Sequence, residues 1–274
     1  MPRQTAQSIK ALKGKRKLSV LTAYDYPTAS LVDRGGVDMV LVGDSLNMVV
    51  LGRDDTLSLT MEEMLHHCRA VSAGVKQALV VADMPFLSYE TSVEQAVANA
   101  GLLLKHGGVR AVKLEGAAVL PQIKALVQSG IPVQGHLGLT PQRLAELGGY
   151  LVQGKTAEAA KTLIDDAQAL AQAGCFSLVL EMVPAPIADI ITAAVPIPTI
   201  GIGAGSGCDG QVLVLHDVLG LFERFTPRFV KQYARLSEEI LKAVTAYRED
   251  VEAGRFPGPE HAFDIPAAEL DKLR

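Results

Sequence analysis

Six short apolar runs in this chain each stop at an acidic residue or a histidine: VLTAYD at Asp25, VDMVLVGD at Asp44, ALVVAD at Asp83, VKLE at Glu115, PVQGH at His136 and LVLE at Glu181. Each is short, rich in Val and Leu, and bounded by Gly or Pro, as buried strands are. Helical stretches lie between them, so the strands are expected to run parallel. In a closed parallel barrel the carboxyl ends of all strands meet at one mouth, where such enzymes keep their catalytic groups. Five carboxylates and one imidazole would gather there, a set able to hold a metal and move a proton.

Along the chain the expected strands end at Asp25, then span Val37–Asp44, Ala78–Asp83, Ala111–Glu115, Ile131–His136, Ser177–Glu181, Ile197–Ile202 and Val212–His216. Between them, Pro27 opens a helix ending at Gly35-Gly36. Thr60 and Glu63 have the spacing of a capping box. Further helices start near Ser92, end at Gln128, and cover Thr156–Ala173. This alternation gives the fold class: α/β, a (β/α)8 TIM-type barrel forming one domain over residues 1–274. A doubly wound sheet is the alternative. Residues 1–17, which include the basic run KALKGKRK, read as a solvated leader. Residues 227–254 read as a C-terminal helical extension closed by Gly254. There Tyr233, Leu236, Ile240, Val244, Tyr247 and Val251 step by three or four, a stripe expected to pack on the core or, alternatively, on another subunit.

Composition narrows the function. Apolar residues make up 49% and charged residues 20%, enough for a large core. A net charge of -4 gives no electrostatic reason to expect nucleic acid. No run approaches a membrane span. Three scattered cysteines, Cys68, Cys175 and Cys208, suggest reduced thiols and a cytoplasmic location.

Asp44 and Asp83 end neighbouring strands, with no histidine or cysteine ligand beside them, and so suit a hard cation such as Mg2+. Glu115 would complete that shell directly or through water. Lys113 stands two residues before Glu115 and must share its face of the strand. A buried lysine needs a carboxylate, from the protein or from a substrate. Ser45 can donate to a ligand oxygen or simply cap a turn. His136 can bond a carbonyl or an acid. Glu181 follows the wholly apolar SLVL, surroundings that raise a carboxyl pKa and make a better base near neutral pH. The loop from Leu137 to Gly154 is long enough to be functional. GIGAGSG, Gly201 to Gly207, either cradles phosphate or makes a tight turn with close backbone approach.

The blocks LTAYDYPTA, LVGDSLNMVVLG, VADMPFLSY, VKLEGA, GHLGLTPQ, GGYLVQG, LVLEMVP, PTIGIGAGSGCDGQVLVLHD and FPGPEHAF occur in order from Leu18 to about Phe263. Together they resemble the ketopantoate hydroxymethyltransferase (3-methyl-2-oxobutanoate hydroxymethyltransferase) family. The resemblance implies a Mg2+-dependent barrel enzyme of pantothenate synthesis. It would use 5,10-methylenetetrahydrofolate as co-substrate and assemble as a homodecamer of two pentamers. It places the metal on Asp44, Asp83 and Glu115, the substrate on Asp44, Ser45, Asp83 and Lys113, and the proton acceptor on Glu181, with His136 close to the reacting centre. Asn47, Ala117 and the RDDTLSLT segment, with Arg53, Asp55 and Ser58, depart from the usual family pattern. Two rival readings are a phosphoenolpyruvate mutase or isocitrate lyase relative, whose cysteine-centred KKCGH motif is not in this chain, and a non-catalytic binding barrel.

Overall fold

The computed structural model of the chain describes residues 3–147, 149 and 151–274. Gly148 and Tyr150, which belong to the GGYLVQG block, lie outside the described residues. Among these, eight parallel strands close on themselves in sequence order: β1 (Leu18–Thr22), β2 (Met39–Val42), β3 (Leu79–Asp83), β4 (Ala111–Glu115), β5 (Val133–Gly138), β6 (Ser177–Glu181), β7 (Thr199–Ile202) and β8 (Gly210–Leu213). β8 pairs back onto β1, which makes the expected (β/α)8 barrel. The helices are α1 (Ala6–Lys10), α2 (Tyr26–Arg34), α3 (Leu46–Val49), α4 (Met61–Gly74), α5 (Val93–Gly107), α6 (Leu120–Gln128), α7 (Leu144–Leu147), α8 (Ala157–Gln172), α9 (Ala185–Ala194), α10 (Leu215–Val218), α11 (Leu236–Glu252) and α12 (Ala267–Leu270).

The two-residue period of a strand sorts these side chains into two layers. Val40, Val80, Val112, Leu114, Leu178 and Leu180 belong to the apolar layer shared with the helices. Leu79, Val81, Ala111, Val179 and Ile200 fill the barrel interior instead. Continuing the inward columns brings Asp83 above Val81, Lys113 and Glu115 above Ala111, and Glu181 above Val179. Charge is thereby confined to the carboxyl end. Helix starts follow local chemistry: Thr60 Oγ1 accepts from the Glu63 N–H at 3.2 Å, and Glu63 Oε2 accepts from the Thr60 N–H at 2.9 Å. Ser92 and Thr156 cap α5 and α8.

Several expected boundaries move. Asp25 is not a strand-end acid: β1 stops at Thr22, and Asp25 caps α2 by accepting from the Thr28 N–H at 2.8 Å. That local bond, with Pro27 in the first turn, starts a helix where the apolar run suggested a strand. β8 likewise ends at Leu213, and His216 lies on α10.

The leader is not merely solvated. Ile9 on α1 is fully buried and joins the apolar fill of the barrel interior. Lys13 pairs with Asp209 at 2.6 Å and Arg16 with Asp38, acids that directly precede β8 and β2. The basic run therefore clamps the leader to the amino-terminal end of the barrel.

The C-terminal helix begins at Leu236 rather than Pro227. Ahead of it, the Tyr233 and Leu236 N–H groups donate to the Val218 and Leu219 carbonyls, tying this stretch to α10. The apolar stripe does not pack on the core. α11 has no buried residue, and Val244 and Tyr247 are 59% and 60% exposed. Periodicity shows that a helix has an apolar face, not what covers it.

Candidate active site

Consecutive strand ends deliver their last inward side chains to one cavity of about 620 Å3. Asp44, Ser45, Asp83, Lys113, Glu115, His136 and Glu181 all line it. The seven residues assigned to metal, substrate or proton transfer are thus at one mouth, and of the expected strand-end acids only Asp25 is not. Except for Glu181 and Ser45, which are partly open, these side chains are buried.

Lys113 is the hub. Its Nζ lies 3.1 Å from Asp83 Oδ1, 3.5 Å from Glu115 Oε1 and 2.9 Å from His136 Nδ1. Burial disfavours its ammonium, but Asp83, Glu115 and Asp44 outweigh that and hold its pKa above the ordinary lysine value. His136 Nε2 is 2.8 Å from the Leu139 carbonyl. A carbonyl only accepts, so Nε2 carries the hydrogen and Nδ1 is left to accept from Lys113. Burial, then the neighbouring ammonium, holds the His136 pKa well below its usual value. The imidazole is therefore neutral, with both nitrogens engaged.

The acids are less well served. Asp44 donates its N–H to Asp83 Oδ2 at 2.9 Å, and Asp44 Oδ2 accepts from Gln142 Nε2 at 2.9 Å. Asp83 Oδ1 faces the ammonium but receives no well-directed hydrogen bond. Burial raises the Asp83 pKa; Lys113 lowers it and the Asp44 charge raises it again. Glu181 Oε2 is 3.4 Å from His136 Nε2. Its carboxyl is pushed up to about 8, first by burial, with Lys113 opposing and Asp44 and Asp83 adding. The sequence expectation that apolar surroundings would raise this group matches that cause.

Backbone geometry at Glu181 is specialised. Gly138, at φ +96°, approaches so closely that a Cβ there would stand 2.1 Å from the Glu181 carbonyl oxygen. Only glycine permits this approach, which lets the Leu139 N–H bond that carbonyl at 2.8 Å. Met182 follows at φ +47°, an unusual conformation for a side-chain-bearing residue and one found at functional sites.

Among the described residues no three His, Cys, Asp or Glu side chains form a group arranged to hold a metal. Of the expected set, Asp44 and Asp83 adjoin, while Glu115 is committed to other partners. Its Oε1 faces Lys113 and His136, and Oε2 accepts from the Gln142 N–H at 3.2 Å. Asp44 and Asp83 remain the neighbouring pair.

Three supporting residues were not singled out from the sequence. Gln142 links Asp44, the Met84 carbonyl and Tyr89, whose hydroxyl donates to Gln142 Oε1 at 2.7 Å and accepts from the Glu115 N–H. The Tyr24 hydroxyl lies 2.8 Å from Ser45 Oγ. All three fall inside the blocks GHLGLTPQ, VADMPFLSY and LTAYDYPTA, which is the signal that marked them. The unusual residues near Arg53 also meet in space. Buried Asn47 donates to the Asp55 carbonyl and Ser58 Oγ and accepts from Arg53, which pairs with Glu63. Their mutual bonding holds the loop after α3 in one shape. Ala117 lies apart from them.

A model of the family described as ketopantoate hydroxymethyltransferase matches residues 3–259. The chain is 64% identical over 272 residues to the 3-methyl-2-oxobutanoate hydroxymethyltransferase of Syntrophobacter fumaroxidans, covering 99% of this chain and 96% of that one. Among solved structures it resembles a phosphoenolpyruvate phosphomutase from Streptomyces platensis subsp. rosaceus, with a TM-score of 0.62, 15% identity, and 98% and 95% of the two chains covered. It also resembles a phosphonopyruvate hydrolase complexed with oxalate and Mg2+, with a TM-score of 0.56, 15% identity and the same coverage. Likeness at that identity speaks for the fold alone.

Proposed function

The chain belongs to the ketopantoate hydroxymethyltransferase family, and from that premise we propose that it moves the one-carbon unit of 5,10-methylenetetrahydrofolate onto 3-methyl-2-oxobutanoate, giving 2-dehydropantoate. The observation that carries this reading is Glu181, a carboxyl poised near neutral pH, in one cavity with Lys113 and the Asp44–Asp83 pair.

Magnesium fits the residues present. Asp44, Asp83, Glu115 and Glu181 face a single ammonium, and Asp83 Oδ1 lacks a well-directed donor. Such an excess of buried negative charge calls for a cation. Asp44 and Asp83 would hold it, with Glu115 acting through water, since Mg2+ keeps waters and takes few carboxylates. When bound, it supplies Lewis-acid stabilisation of negative charge on substrate oxygens.

The chain's own groups do the rest. Lys113 and Ser45 fix the keto acid, the ammonium offering charge and the hydroxyl a hydrogen bond. Glu181 Oε2 is turned toward His136, which leaves Oε1 to take the C3 proton. Neutral His136 acts by position, accepting from Lys113 and standing 3.4 Å from Glu181 Oε2. The resulting enolate carbon bonds to the one-carbon unit, and both bonds from that unit's carbon to the folate nitrogens break. Water supplies the oxygen of the new hydroxymethyl group, and the C3 proton and one proton of that water end on the two nitrogens. We place the chain in the cytoplasm, and the apolar face of α11 supports assembly of copies into a homodecamer. Among the described residues no helix is long and apolar enough to cross a membrane.

Proton exchange tests the reading without folate. In D2O with Mg2+, the C3 proton of 3-methyl-2-oxobutanoate should exchange on the enzyme. Glu181→Gln should slow that by about 100-fold or more while keeping the keto acid bound. Near-normal exchange in the variant would remove Glu181 as the base.

A further inference from the structure

A cavity of about 620 Å3 is of the size that holds a drug-sized ligand. A five-carbon keto acid occupies only its acidic floor. The outer wall comes from the stretch between α10 and α11, which supplies Phe222, Phe225 and Phe229. Phe222 and Phe225 stand edge to face, 5.5 Å between centroids. Phe229 is seated on Gly203, at φ +64°, where a Cβ would come within 2.8 Å of the ring. The glycine-rich loop thus makes a close approach that sets this wall.

Within it lies Asp217, on α10, only 9% exposed and lining the same cavity. Among the described residues its carboxylate has no hydrogen-bond or ion-pair partner; Arg228, at the same wall, does not pair with it. Most of the residue is covered, but its carboxylate oxygens stay open to the cavity, so a ligand there can supply the donors that the protein does not. Nothing in the proton transfer uses it. Of the two substrates proposed above, only the folate presents suitable groups there. The pterin's 2-amino group and N3–H are adjacent, parallel donors, which match the two oxygens of one carboxylate. The ring is flat and aromatic, suited to a wall of phenylalanines.

We infer that Asp217 reads the pterin edge of the folate co-substrate, accepting from the 2-amino group and N3–H while the ring lies against Phe222, Phe225 and Phe229. This rests on the folate reading given above. It assigns the remainder of the cavity and makes Asp217 a specificity determinant outside the acid floor.

The test is equilibrium binding of tetrahydrofolate and of its 2-desamino-2-methyl analogue to the full chain with Mg2+ and 3-methyl-2-oxobutanoate present. The unaltered chain should prefer tetrahydrofolate by about 10- to 100-fold, the worth of charged hydrogen bonds. Asp217→Asn should bind both ligands alike, at the weaker level. If the unaltered chain shows no preference, or the variant keeps it, the inference is overturned while the folate reading stands. Failure of the unaltered chain to bind tetrahydrofolate, with keto-acid exchange intact, overturns the folate reading as well. Should Asp217→Asn not fold, Phe225→Ala at a half-exposed ring replaces it. That change should weaken both ligands several-fold without altering their ratio, and unchanged binding of both counts against the wall.

Discussion

A carboxylate accepts a proton near neutral pH only where its surroundings lift its pKa, and Glu181 is lifted to about 8, chiefly by burial. Only its ionised form is a base, so exchange at C3 must rise with pH. Positive charge delivered beside Asp44 and Asp83 offsets the two negative charges that help raise it. The midpoint of the rise with Mg2+ should therefore lie below 8. Stability runs the other way: a carboxyl with a raised folded pKa favours folding most below its ordinary value, and that contribution is lost as pH climbs toward 8. The metal-free chain should thus melt at a lower temperature at about pH 8 than at about pH 5, and Mg2+ should restore more at the higher pH. Exchange that falls across this range would mean that the protonated acid is the active form. Much of this site was legible in the sequence because strand spacing is rigid: Lys113 and Glu115, two apart, had to share a face. Gln142 was not, because it reaches Asp44 from a loop whose course depends on tertiary packing. The engagement of Glu115 was hidden for a related reason. No spacing rule shows that an ammonium will stand between Asp83 and Glu115.

Elements with a two-sided burial requirement were the readable ones. β4 and β6 run where their apolar stretches stop, and Thr60, Ser92 and Thr156 open their helices as their side chains allow. The leader was not readable, since its basic residues suggest solvent while its single decisive residue, Ile9, is one apolar side chain among them. Its contribution can be measured. Ile9→Ala removes a fully buried side chain from the interior fill, and such truncations cost about 2–5 kcal/mol. Denaturant titration should show that loss, with exchange at C3 little changed because the plug lies at the far end from the acids. A midpoint equal to the unaltered chain's would mean that α1 is not a working part of the barrel. The sequence pattern extends the helix over Pro227 to Arg235 because periodicity records polarity, not the hydrogen bonds that tie this stretch to α10 or the cavity it lines.

A barrel that fills its own interior still leaves one apolar face uncovered. On α11, Ile240, Leu241, Val244, Tyr247 and Val251 are between 45% and 69% exposed, and no residue of the helix is buried. Most helical stability in proteins comes from packing of an apolar face, and α11 buries none of its residues within the chain. Contiguous apolar surface on that scale marks an interaction site in a folded protein. A second copy of the chain is the occupant consistent with the proposed homodecamer, because a repeated contact can bury the same stripe on every subunit. Val244→Lys puts a charge at the middle of the stripe and should convert the assembly to smaller species in light scattering. The barrel's circular dichroism should be retained, since no core residue is touched. Two results would count against this arrangement: an unaltered chain that runs as a monomer, or a variant of unchanged mass. The first removes the decamer; the second moves its interface away from α11.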